Sequence, residues 1–93
     1  MFERILNQLR EKVRTRQYVM TIHAEEEMDE DELTIFDVES VILSGKIIER
    51  QKDQSTGEWK YLVKGETLAG ESVVTVTKIG ATGKLIIITT YRD

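Results

Sequence analysis

Cysteine is absent from the 93 residues, which excludes disulfides, thiol nucleophiles and zinc sites built on thiolates. Proline is absent too, so no backbone N–H is lost to helix or sheet pairing. No apolar run reaches the roughly 18 residues of a membrane-spanning helix. Met1-Phe2-Glu3-Arg4 opens without the apolar stretch of a secretory signal. By default these absences point to a cytoplasmic chain with no membrane partner. Glycine-rich phosphate loops and a Ser-His-Asp series are also missing. Histidine occurs once, as His23, and tryptophan once, as Trp59.

The composition that remains is globular, with 40% hydrophobic and 32% charged residues. A chain this short makes one domain over residues 1–93 and buries roughly 60–70% of its extended surface. One core follows, with little room for an enclosed cofactor, and no cofactor is expected. The net charge of −4 is unevenly spread. Residues 1–45 hold five Lys/Arg against eleven Asp/Glu, a net of −6, and residues 46–93 hold eight against six, a net of +2. The whole molecule repels phosphate at long range, so only a local basic face on the second half suits it.

Phe2, Ile5, Leu6, Leu9 and Val13 form one helical stripe within residues 2–16. Arg4, Arg10, Lys12, Arg14 and Arg16 occupy the rest of that helix, a weak basic patch. A β-prone link, 17–20, leads to Thr21, an N-cap for a helix from Ile22 to about Asp31. Ile22, His23 and Met28 are its expected inward residues. Thr34-Ile35-Phe36-Asp37 predicts a capping box for a third helix, and Gly45 ends it as a C′ glycine.

After Gly45 the period changes to two. Strands are expected at 46–52, 58–64, 72–79 and 84–91, with turns at 53–57, 65–70 and 80–83. The last strand, with Leu85-Ile86-Ile87-Ile88, is apolar on both faces and reads as central. Short turns between successive strands predict an antiparallel meander. The expected fold is therefore α+β, with N-terminal helices packed on a four-stranded curved antiparallel sheet.

Few residues invite chemistry. His23 is the natural acid or base near neutral pH, although a lone histidine also suits simple packing. It shares a helix face with Glu27, but two ligands do not make a metal site, and none is expected. Lys60, Lys64 and Lys78 lie in strands, and Tyr91 and Arg92 end the last one. Gathered on one sheet face, such residues suit RNA phosphodiester cleavage, which needs a base, an acid and cations for the phosphate. Lysines on strands also serve to solvate a face or blunt an edge. Trp59 and Tyr61 suit base stacking, but their spacing with Val63 fits core packing better.

An ordered series of residues resembles a known family. It runs Thr21-Ile22-His23-Ala24, Met28, Leu33-Thr34, Asp37-Val38, Val41-Ile42 and Gly45-Lys46-Ile47-Ile48-Glu49. It continues through Tyr61-Leu62-Val63-Lys64-Gly65, Gly70-Glu71 and Ile86-Ile87-Ile88-Thr89-Thr90-Tyr91. This resembles the domain-of-unknown-function family DUF4258 over about residues 20–92, leaving 1–19 as a preceding helix and link. The resemblance implies a RelE/ParE-like fold, similar also to the MqsR toxin. It implies the toxin half of a toxin–antitoxin pair, a small antitoxin as partner, and metal-independent cleavage of mRNA.

Carried onto this chain, that function makes His23, Lys60, Lys64 and Tyr91 catalytic, and Lys78 and Arg92 substrate-binding. The family pattern His-Ala-x-x-Arg-Met is broken here, because Glu27 stands where Arg is usual. A carboxylate there repels RNA phosphate. Either the active site lies wholly on the sheet, or this branch is a non-catalytic protein-binding module of the same fold. Self-association is compatible with both.

Overall fold

The stripe of the first segment becomes α1, Glu3–Arg14, with Leu9 and Val13 buried. Phe2, Ile5 and Leu6 pack against the same core. Arg10 leaves the basic face and donates to the carbonyl oxygens of Ile42 (3.5 Å) and Gly45 (2.9 Å). A guanidinium there meets the unpaired carbonyls that end a helix, so α1 is tied to the element that follows it in space. The computed structural model describes all 93 residues.

Thr21 caps α2, Ile22–Glu30, its Oγ1 accepting from the Ala24 N–H at 3.1 Å. The same hydroxyl donates to the Ile88 carbonyl at 2.7 Å. The inward residues of α2 are Ala24 and Met28, four apart, while Ile22 is 75% exposed and His23 lies on the solvent side. Met28 is inward as expected, whereas Ile22 and His23 are not, because the small Ala24, one turn before Met28, takes the close contact instead. Arg92 donates to the Asp31 carbonyl beyond the far end of α2.

Helix α3, Ile35–Ser44, has the predicted box in full. Thr34 Oγ1 accepts from the Asp37 N–H (3.2 Å), and Asp37 Oδ2 accepts from the Thr34 N–H (2.9 Å). Asp37 Oδ1 also accepts from the Leu68 N–H at 3.2 Å. These bonds, that from Thr34 N–H first, hold the Asp37 carboxyl below its usual value of 3.8. A depressed carboxylate contributes stability that is present above that value and lost as pH falls through the folded-state value. Asp37→Ala should therefore cost about 1–2 kcal/mol near neutral pH. It should also flatten the loss of stability below pH 3.8. Urea denaturation at several pH values checks both, and a cost under about 0.5 kcal/mol would contradict the role of the cap.

The sheet has five strands in the order β1-β5-β4-β3-β2. These are β1 Tyr18–Met20, β2 Lys46–Lys52, β3 Trp59–Glu66, β4 Ser72–Ile79 and β5 Leu85–Arg92. Strands β2 to β5 form the predicted antiparallel meander. The expectation of four antiparallel strands is corrected by β1, which pairs parallel with β5 through Tyr18–Leu85, Val19–Ile86 and Met20–Ile87. In a bare meander the last strand is an edge, and an edge apolar on both faces is a liability. Strand β1 covers that edge at residues 85–87, which is why the first half of β5 can be apolar on both faces. Past Met20, α2 runs on beside β5, from Thr21 at Ile87 and Ile88 to Asp31 at Arg92.

The three helices pack on one face of this sheet. Their core includes Leu9, Ala24, Val38, Val41 and Ile42 from the helices and Val63, Val73, Leu85 and Ile87 from the strands. The other face carries a small second cluster, Leu62, Val74 and Val76, with Ile88 against it. Trp59 is 40% exposed, so only Tyr61 of the expected aromatic pair is core.

Candidate functional site

Strand pairing sorts the open face into rows, since alternate residues share a face. One row is Lys46, Lys64, Val74 and Tyr91. The next is Glu49, Leu62, Val76 and Thr89. One residue beyond the Tyr61–Thr77 pair, Lys60 and Lys78 begin the third, with Gln51 and Ile86 at its ends. Lys60, Lys64, Lys78 and Tyr91 therefore share one face. They fall into two groups, separated along β3 by roughly 13 Å, the rise of four strand residues. The buried side chain of Leu62 lies between them.

Each of the three lysines meets a carboxylate. Lys60 lies 3.8 Å from Asp53, Lys64 2.5 Å from Asp93 and Lys78 3.3 Å from Glu58. Asp53 is fixed before it meets the lysine, because its Oδ1 accepts from the N–H (2.9 Å) and Oγ (2.7 Å) of Ser55. Those bonds also hold the Asp53 carboxyl below its usual range. Glu49 and Glu66 belong to the same face by their place in the strands. Five carboxylates thus stand against the four lysines, Lys46 included, and the face has no cationic excess to attract a polyanion.

Two predicted residues lie elsewhere. His23 is on α2, its side chain 63% exposed and Nε2 3.6 Å from Glu27 Oε1. No third His, Cys, Asp or Glu joins them in a metal-holding group. Arg92 pairs across β4 with Val73, a residue of the helix-side core, and so points away from Lys64 and Tyr91. Its guanidinium reaches the Asp31 carbonyl and the Glu71 carboxylate, fastening α2 and the β3–β4 turn to β5.

Two surfaces were not singled out from the sequence. At the far end of the β2–β3 hairpin the Arg50 guanidinium stacks over the Trp59 ring at 4.0 Å, with Lys52 at 5.8 Å. Strand alternation held that signal, since Arg50 and Lys52 lie opposite Tyr61 and Trp59. The stacked cation occupies a face of the indole that a nucleobase would need. The second surface is a groove along α3, lined by Phe36, Glu39, Ser40, Leu43, Ser44 and Leu68, with a volume of about 460 Å³. Phe36 is 57% exposed and Leu68 71%. At its border Glu39 accepts from the Tyr18 hydroxyl. Burial, and then that carboxylate, push the Tyr18 phenol up to about 12.

No helix is long and apolar enough to cross a membrane. The chain matches no curated protein and no solved structure. A family described as "Domain of unknown function (DUF4258)" matches residues 20–92, from the end of β1 to the end of β5. The chain thus belongs to the DUF4258 family.

Proposed function

We infer that this chain is a protein-binding module whose sheet carries out no RNA cleavage. One observation carries the reading: every lysine expected to engage phosphate is already paired with a carboxylate. For RNA to bind there, a phosphate must displace three carboxylates while the molecule's net charge of −4 opposes its approach. Cleavage further needs an acid and a base within hydrogen-bond reach of one phosphodiester. His23, in the helical layer beside Glu27, supplies neither to the open face.

The second reading is a RelE/ParE/MqsR-like toxin, an endoribonuclease restrained by a small antitoxin. It is favoured by the common face of Lys60, Lys64, Lys78 and Tyr91. Under the binding-module reading, induced expression without the neighbouring reading frame leaves growth unchanged, and pure protein leaves total RNA intact. Growth arrest relieved by the neighbouring frame and abolished by Lys64→Ala, with RNA cut in vitro, would establish the toxin instead.

A further inference from the structure

The outer face of α3 spends its polar groups in an unusual way. Ser40 Oγ donates to the Glu66 carbonyl (2.8 Å), and Ser44 Oγ accepts from the Glu66 N–H (3.1 Å). Asp37 holds the Leu68 N–H, as the cap described above. The β3–β4 turn is therefore fastened to α3 at both Glu66 and Leu68, yet the Leu68 side chain is left 71% exposed. Phe36 and Leu43, seven residues apart on α3, are 57% and 39% exposed on the same groove. Seven residues make two turns, about 10 Å of helix. Three large apolar side chains thus line a groove whose walls are set by hydrogen bonds before anything binds, which lowers the entropy cost of docking.

Backbone chemistry decides the shape of the occupant. Strand addition needs free N–H and C=O groups along an edge. Here one wall is a helix, and in the other Glu66 N–H and C=O and Leu68 N–H already bond to α3 side chains. Apolar anchors two turns apart instead fit a helix laid in the groove, read at i, i+3 or i+4, and i+7.

Charge decides its sign. The charged side chains of α3 are Asp37 in its first turn and Glu39 in the groove, and α3 carries no Lys or Arg. The groove lining includes the carboxylate of Glu39 and no cation. We propose that the α3 groove binds a cationic amphipathic helix of a partner protein, with apolar side chains against Phe36, Leu43 and Leu68 and Lys or Arg beside the carboxylates of Glu39 and Asp37. This rests on the binding-module reading and names the chemistry of the partner.

The test uses the full chain and a designed helical peptide of about fourteen residues, four turns. It carries Leu at i, i+4 and i+7 between lysines, and a matched peptide carries Glu in place of every Lys. Fluorescence anisotropy should show the lysine peptide binding at least tenfold more tightly than the glutamate one. Amide shift changes should be confined to α3 and residues 66–69. Phe36→Ser with Leu68→Ser, both at exposed positions, should weaken binding at least tenfold while leaving the melting temperature within a few degrees. Equal binding of the two peptides, shifts on another surface, or no effect of the double substitution overturns the groove. Concentration-dependent dimers abolished by Leu68→Ser also overturn it, by showing that the occupant is a second copy. An RNA digest on the same preparation separates the two failures. Cut RNA sinks the binding-module reading, whereas intact RNA with no peptide binding sinks only the groove.

Discussion

Gly65→Ala is expected to destabilise the chain by about 3 kcal/mol or more, toward the upper end of the overpacking range. A Cβ at Gly65 would stand 2.2 Å from the Val41 carbonyl oxygen and 2.9 Å from Gly45 Cα. Both are backbone atoms, so neither can rotate aside as a side chain would. Relief requires α3 to lift from β3, which opens the contact made by Val38, Val41 and Ile42, all fully buried. Gly57→Ala is the matched control. Gly57 has φ +74° and open space around it, so only the left-handed conformation is penalised, by about 1 kcal/mol. In a domain of this size each kcal/mol moves the melting temperature by about 4–8 °C. Gly65→Ala should thus melt about 8–16 °C or more below Gly57→Ala. Equal melting temperatures would mean that α3 and β3 separate more easily than their backbone contact implies.

The glycines also illustrate how a sequence can mark a place for the wrong reason. The pattern puts Gly45 at the end of α3 as a C′ glycine, a position commonly left-handed, and α3 does end at Ser44. Yet Gly45 has φ −91°, ordinary for any residue, and what demands glycine is crowding: a Cβ would stand 2.4 Å from the Val41 carbonyl oxygen of α3 and 2.5 Å from that of Lys64 on β3. The second of these neighbours comes from another element, and no local pattern contains it. Caps such as Thr21 and Thr34 were legible because they act within three residues. Strand β1 was not, because a three-residue strand gains its identity from partners at 85–87. The apolar Leu85–Ile88 run did hold a trace of it, since a strand apolar on both faces needs neighbours on both sides. For the candidate site, a period of two put Lys60 and Lys64 on one face of their strand, and the meander allowed Lys78 and Tyr91 to join them, but only the register decides that they do. Their neutralisation was not legible, because Asp53 and Asp93 lie outside the strands, where alternation says nothing of direction, and the Lys78–Glu58 pair joins β4 to the residue just before β3. Arg92, one step out of phase with Tyr91, belonged to the opposite face by the same alternation.

Removal of residues 1–16 is expected to abolish cooperative folding, although the family match begins only at residue 20. That boundary invites the view that α1 is an accessory, and its packing argues otherwise. Leu9 is fully buried and Val13 nearly so, and both belong to the main core together with Val38, Ile42 and Tyr61. Phe2 stacks edge-on against the Tyr61 ring at 6.4 Å, and Ile5 and Leu6 add partly buried contact. A fully buried aliphatic or aromatic side chain contributes roughly 1.5–3 kcal/mol. Two complete and three partial burials sum to roughly 5–10 kcal/mol on that scale, against the 5–15 kcal/mol that stabilises a typical domain. The truncated chain would also bare the core residues beneath α1 and lose the Arg10 bonds that finish α3. Residues 17–93 should give a broad, non-cooperative thermal transition and bind a hydrophobic dye. Leu9→Ala in the full chain should lower stability by about 3 kcal/mol and keep a cooperative transition. A truncated chain melting cooperatively within about 5 °C of the full one would show that β1, α2 and α3 close the core without α1.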